Sequence, residues 1–273
     1  MSTPGCSWAP ARVTALVGGA VLLAGCAAGS ASPGMASAPG SAAVAATPST
    51  GDVLDLTIAA SVRALALVDQ DGRTLTLASL SGRTVVVTPS LTLCQEICPL
   101  TSANIGAAQR AVAASGLSSK VTFLEVTVDP RRDDRAHLKA YQGLYGAQPN
   151  WEFLRGSAAQ VAAFWAAFHL SYAQVANDPG HAQPRDWLTG APLTFDVSHQ
   201  NILYVLGASG HIRWLIDAAP NVTGAAPPDK LRAFLNSQGV HNLTSPDGPS
   251  WTAAELDQAI GYVAGAPVHA ASG

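Results

Sequence analysis

The chain has 273 residues, 48% of them apolar and only 12% charged, with a formal net charge of -3. That length holds one ordinary domain with appendages, and the sparse charge excludes both an ion-pair-rich coiled coil and the basic footprint that nucleic-acid binding requires. With 25 glycines and 18 prolines the chain stays below the share, roughly a quarter, that marks wholesale disorder, so a folded core is expected.

In chain order, Arg12 is the only charged residue ahead of an uncharged apolar run from Val13 to Leu23. This run is shorter than the ~20 residues of a bilayer span and reads as the core of an export signal. Leu23-Ala24-Gly25-Cys26 follows at once and resembles the lipobox of bacterial lipoproteins, in which cleavage precedes the cysteine and its thiol takes a lipid. The resemblance implies a leader over 1–25 that carries Cys6 away, a lipid on Cys26, and an exported protein anchored on the extracytoplasmic face of a membrane. The alternative is an ordinary secretory signal with a chance cysteine. Residues 26–55 are assigned to a flexible tether, because from Ala27 to Thr50 the side chains are small and uncharged and cannot offset the entropy of ordering the backbone. Its r.m.s. reach of about 30 Å holds a domain close to the membrane yet clear of it.

A domain is expected over 56–217. Arg63 to Val68 and Thr74 to Leu77 read as strands of a hairpin turned at Asp71-Gly72. Thr84 to Thr88 is a β-branched run suited to a strand buried on both faces. Pro99 to Ala114 has helical character and Lys120 to Val128 reads as another inner strand, which completes a right-handed βαβ unit. Asp133 is placed as the cap of a helix from Asp134 to about Leu144, and Ser157 as the cap of one to about Phe168. Asn201 to Leu206 and His211 to Ile216 form a closing hairpin. The fold class is α/β, a thioredoxin-like sandwich with an N-terminal hairpin. Residues 218–273 are read as a C-terminal extension packed on the domain edge, with helical candidates at Asp229 to Asn236 and Trp251 to Val263; Asn177 to Gly190 reads as a long loop.

Cys94-Gln95-Glu96-Ile97-Cys98-Pro99 stands between the buried strand and the first helix, the place where open α/β sheets put their chemistry. Pro99 suits the first helical position and places Cys98 at or near the N-cap, where unpaired amides and the helix dipole favour thiolate at that residue. The intervening turn brings both sulfurs to one side, within range of a disulfide or of a shared metal ion. A structural disulfide is as good a reading of the two cysteines alone. His199, just before the Asn201 strand, faces the same edge of a thioredoxin-like sheet; two thiolates and one imidazole suit Cu(I), whereas structural zinc takes a fourth protein ligand.

These residues resemble the SCO/SenC family of thioredoxin-like, copper-binding proteins that serve cytochrome c oxidase assembly. The match comprises the hairpin Leu67 to Arg73, the C-x-x-x-C-P signature at Cys94, Cys98 and Pro99, the segment Val126-Thr127-Val128-Asp129-Pro130-Arg131-Arg132-Asp133, and His199 ahead of Tyr204-Val205-Leu206 and Gly210. It implies copper, as Cu(I) or Cu(II), on Cys94, Cys98 and His199, with Asp129 in a supporting or loop-fixing role, and as partner a copper-site subunit of the oxidase or one of its assembly factors. His169, on a helix that reads as buried, and His181, in the long loop, are weaker metal candidates. The chain departs from the family in carrying Gln95-Glu96 where Pro-Asp is usual and in its longer tail after Asp217. Two functions follow from one cysteine pair: a membrane-tethered copper metallochaperone, or an extracytoplasmic thiol-disulfide oxidoreductase with Cys94 and Cys98 as its redox-active residues. No Ser-His-Asp order, HExxH or Walker loop supports a hydrolase or nucleotide enzyme.

Overall fold

A computed structural model describes residues 47–177 and 183–271; the leader, Cys26, the tether as far as residue 46, and His181 lie outside the described residues. In chain order the elements are β1 (Asp52–Thr57), the helical turn α1 (Ala60–Arg63), β2 (Leu67–Asp69), β3 (Thr74–Leu75), a 3-10 turn (Leu77–Leu80) and β4 (Thr84–Ser90). There follow α2 (Cys98–Ala114), β5 (Val121–Thr127), α3 (Arg135–Tyr145), β6 (Trp151–Arg155), α4 (Ala158–Ala167), β7 (Tyr172–Val175) and β8 (Asp196–His199). The chain continues through β9 (Ile202–Leu206), β10 (His211–Asp217), β11 (Ala219–Pro220), α5 (Asp229–Arg232), α6 (Ser237–Asn242), β12 (Ser250–Trp251) and α7 (Ala253–Ala264).

Eight strands form one sheet in the order β1-β10-β9-β4-β5-β6-β2-β3. β4, β5 and β6 are parallel, as βαβ crossovers through α2 and α3 require, while β9, β10 and β1 run antiparallel on one side and β2 and β3 on the other. Strand alternation divides the apolar side chains between two cores. Val86, Phe123 and Val205 point to one face and pack with Ile105 of α2, Tyr141 of α3 and Ile260 of α7. Val85, Val87, Val126 and Tyr204 point to the other and pack with Phe164 and Trp165 of α4. β4 and β5 are buried along their whole length, as their β-branched sequence predicts. Gly106 lets α2 approach closely: a Cβ there would lie 3.3 Å from the ring of Trp151.

The α/β thioredoxin-like sandwich is present, with four departures from its sequence reading. Residues 52–57, partly assigned to the tether, pair with β10 as an edge strand. Arg63, expected to start a strand running to Val68, instead ends the helical turn Ala60–Arg63, and the strand begins only at Leu67. The cap of α3 is Asp134, whose carboxylate accepts from the amide of His137; Asp133 is instead buried, accepting from the Thr92 amide and from the hydroxyls of Thr92 and Thr127. The fourth is the tail. It is not an edge appendage: Leu231, Trp251, Leu256 and Ile260 belong to the core beneath α2, and Asn104 of α2 donates to the carbonyls of Asn221 and Trp251. α7 is thus the helix that closes the β9–β10 half of the sandwich, reached through an inserted segment over 218–250.

Candidate metal centre

β4 ends at Ser90, and residues 91–97 turn back across its carboxyl end into α2. The turn is held at both ends. Asp133 binds Thr92 by backbone and side chain, Trp187 donates its indole N–H to the Thr92 carbonyl, and Tyr145 donates to the Pro99 carbonyl. Cys94 and Cys98 are both buried and neither is in a disulfide.

Helix α2 begins at Cys98 itself, with Ile97 at the N-cap and Pro99 in its first turn. The consequence reverses the expected division between the two sulfurs. The Cys98 amide, one of the helix's free N–H groups, donates to Sγ of Cys94 at 3.3 Å. The hydrogen bond from the Cys98 side chain holds the Cys94 thiol well below its ordinary value, against the effect of burial and with help from His199. Burial, then the side-chain hydrogen bond with Cys94 and the charge of Cys94, push Cys98 well above its own. Both directions favour charge on Cys94, whose sulfur accepts from the Cys98 amide, over charge on Cys98.

His199 arrives from the segment just ahead of β9, the antiparallel neighbour of β4. It ends β8, which forms a two-stranded ribbon with β7 and pairs His199 with Tyr172. Its Nδ1–H donates to the Gln200 carbonyl at 2.9 Å, which leaves the Nε2 lone pair facing inward, 3.4 Å from Sγ of Cys98. Burial alone lowers the imidazole pKa, but contact with the Cys94 sulfur outweighs it and the net direction is upward. The two sulfurs and a ring nitrogen of His199 all lie within 4.8 Å of one another, and among the described residues this is the one grouping of three or more such side chains able to share a metal ion.

Asp129 stands outside this trio. Its carboxylate pairs with Arg132, whose guanidinium donates to the Phe195 carbonyl at 2.6 Å and lies 3.9 Å from the centre of the Phe195 ring. Phe195 directly precedes β8, so the contact fixes the strand that carries His199. His169 is exposed, in the left-handed conformation at the end of α4, rather than buried on the helix. The contacts of Trp187, and those of the 229–242 segment with residues 95 and 96, were not legible as parts of the site. Their only trace in the sequence is the pair of departures noted above, the unusual Gln95-Glu96 and the long tail.

Comparison with known proteins gives a consistent result. The SCO1/SenC family model matches residues 59–227. A SCO1 protein homolog of Bacillus subtilis (strain 168) is 28% identical over 146 residues, covering 53% of this chain and 67% of that protein. Among solved structures, Arabidopsis thaliana ScoI with copper bound is 19% identical, covering 56% of this chain and 85% of its own, at a TM-score of 0.46. Bradyrhizobium japonicum ScoI with copper bound is 24% identical, covering 63% and 97%, at a TM-score of 0.45.

Proposed function

This chain belongs to the SCO1/SenC family, and from that membership and its donor set we propose that it is a copper metallochaperone which holds one Cu(I) through Cys94, Cys98 and His199. The observation that carries the reading is the convergence of two sulfurs and one ring nitrogen within 4.8 Å, with the Nδ1–H of His199 committed to a carbonyl. Thiolates and imidazole suit a soft monovalent ion, and three protein donors leave a position for an incoming ligand. Both sulfurs bind as thiolates, so coordination releases whatever proton the pair still holds.

Delivery in this reading is ligand exchange with the copper site of a cytochrome c oxidase subunit or of an assembly factor, on a membrane shared through a lipid on Cys26 and the tether. Holding donor and acceptor on one surface raises their effective concentration without any new contact. Among the described residues no helix is long and apolar enough to cross a membrane.

The cysteine pair also supports thiol-disulfide exchange, favoured by the Cys94 thiolate with a protonated Cys98 beside it. Cys94 attacks a partner disulfide and frees one partner thiol. Cys98, once deprotonated, then displaces the second, leaving the Cys94–Cys98 disulfide and a reduced partner. Anaerobic Cu(I) titration of the reduced domain against a competing chelator separates the readings. The wild type is expected to retain one equivalent, and Cys94→Ser, Cys98→Ser and His199→Ala each to lose more than the roughly 10–100-fold that removal of a supporting partner costs. Full retention by all three variants rules out the metal site; retention lost only in the cysteine variants leaves His199 without a role.

A further inference from the structure

The loop between the two cysteines is gripped by a segment remote in sequence. Asn236 donates its backbone N–H to the Gln95 carbonyl at 2.9 Å and its side-chain N–H to the Glu96 carboxylate at 2.9 Å. The Asn236 side-chain oxygen simultaneously caps α6 by accepting from the Gly239 amide at 2.8 Å. Gly239 packs directly on the same loop: a Cβ there would lie 2.2 Å from the Gln95 carbonyl oxygen and 3.1 Å from the Glu96 Cα. Gly239 is therefore glycine because the cysteine loop occupies the space of a side chain, and not because of its backbone angles. The same inserted segment meets the loop's other flank, where Lys230 stands 5.1 Å over the ring of Trp187, which itself donates to Thr92.

We propose that Asn236 and Gly239 form a positioning clasp on the Cys94–Cys98 loop, which holds the two sulfurs buried and sets the rate at which they exchange metal or react with another thiol. The copper half of this statement rests on the function proposed above; the thiol half does not. The two departures from the family pattern, Gln95-Glu96 between the cysteines and the long tail after β10, are on this account one device, each supplying half of a contact. Cys94 and Cys98 are only 8% and 2% exposed, so an acceptor reaches them by local opening of the loop, and the clasp bonds are among those that opening must break.

Three variants test it. Asn236→Asp keeps the cap on Gly239, removes the donor to Glu96 and leaves two carboxylates facing. Asn236→Asp combined with Glu96→Gln restores a donor–acceptor pair with the roles exchanged. Gly239→Ala removes no polar group and improves helix propensity, yet pushes the loop away. Two rates are read on each: Cu(I) release to an excess of bicinchoninate, and reaction of the reduced protein with 5,5′-dithiobis(2-nitrobenzoate), in which formation of the Cys94–Cys98 disulfide liberates two thionitrobenzoates. Loss of a hydrogen bond to a charged group should speed both rates about tenfold in Asn236→Asp and in Gly239→Ala, and the double variant should return towards wild type. Wild-type rates in both single variants overturn the clasp, as does a double variant that stays as fast as Asn236→Asp. If no variant binds copper, including the wild type, the proposed function fails while the thiol rates still decide the clasp.

Discussion

Glu125 shows how much a single buried side chain commits the fold. On β5 it points under α2, accepting from Ser102 at 2.9 Å and from the indole of Trp151 at 3.2 Å, and burial pushes its pKa up to about 7. The folded state thus holds a proton that the unfolded chain releases near 4.5. The stability contributed by this group is complete below that value and is lost as pH rises through about 7. Glu125→Gln keeps the shape and removes the titration, so from pH 4.5 to 8 urea unfolding should show the variant gaining about 3 kcal/mol relative to wild type; parallel curves would refute the assignment. Asp133, raised by burial to about 6, adds a smaller loss of the same sign. Residue types were the readable part of the site: Cys94, Cys98 and His199 are chemically distinctive, and the structure brings all three together. Which sulfur carries the charge was not readable, because it depends on whether α2 begins at Cys98 or after it. A one-residue difference in a helix start lies within the ambiguity of any helix boundary.

Among elements, those with a strong periodic signal were legible and those fixed by tertiary contact were not. β4 announces itself through Thr84-Val85-Val86-Val87-Thr88, and α4 through Ser157, which caps the helix as predicted in a reciprocal box with Gln160. β6 carries Glu152 between Trp151 and Phe153, a pattern that suggests no inner strand, yet Glu152 is buried because Gln70 donates to it at 2.6 Å. β1 is exposed along almost its whole length, and only pairing with β10 makes it a strand. The closing helix itself was legible, read over Trp251 to Val263 against the observed Ala253–Ala264; its place in the core was hidden by distance, since the insertion 218–250 separates it from the hairpin it completes. Trp251, in β12 just ahead of α7, tests the importance of the tail. Its side chain is fully buried in the core shared with α2, and Trp251→Ala should cost about 3–5 kcal/mol in chemical denaturation. A variant ending at residue 250 should lose cooperative unfolding altogether. Unfolding of that truncated chain with a wild-type midpoint would show that 251–273 contributes nothing to the core.

At the scale of the whole molecule, sheet, insertion and closing helix serve to bring a cysteine loop and a histidine strand to one edge. The sheet carries the loop at the end of β4, the β7–β8 ribbon carries His199, and the Asp129–Arg132–Phe195 contacts tie the two supports together. Attachment to a membrane is the part of the proposal furthest from this core, and it rests on Cys26. Cys26→Ser should abolish incorporation of labelled fatty acid into the protein in a bacterial host, with copper binding by the purified domain unchanged; equal incorporation into both forms would remove the lipid on Cys26. The central claim, that two sulfurs and one imidazole hold a single ion together, is tested most directly by copper K-edge X-ray absorption on the reduced domain loaded with one equivalent of Cu(I). The prediction is a shell of two sulfur scatterers and one imidazole nitrogen, with the imidazole contribution lost in His199→Ala. A sulfur-only shell, or a wild-type spectrum unchanged by that substitution, would contradict it.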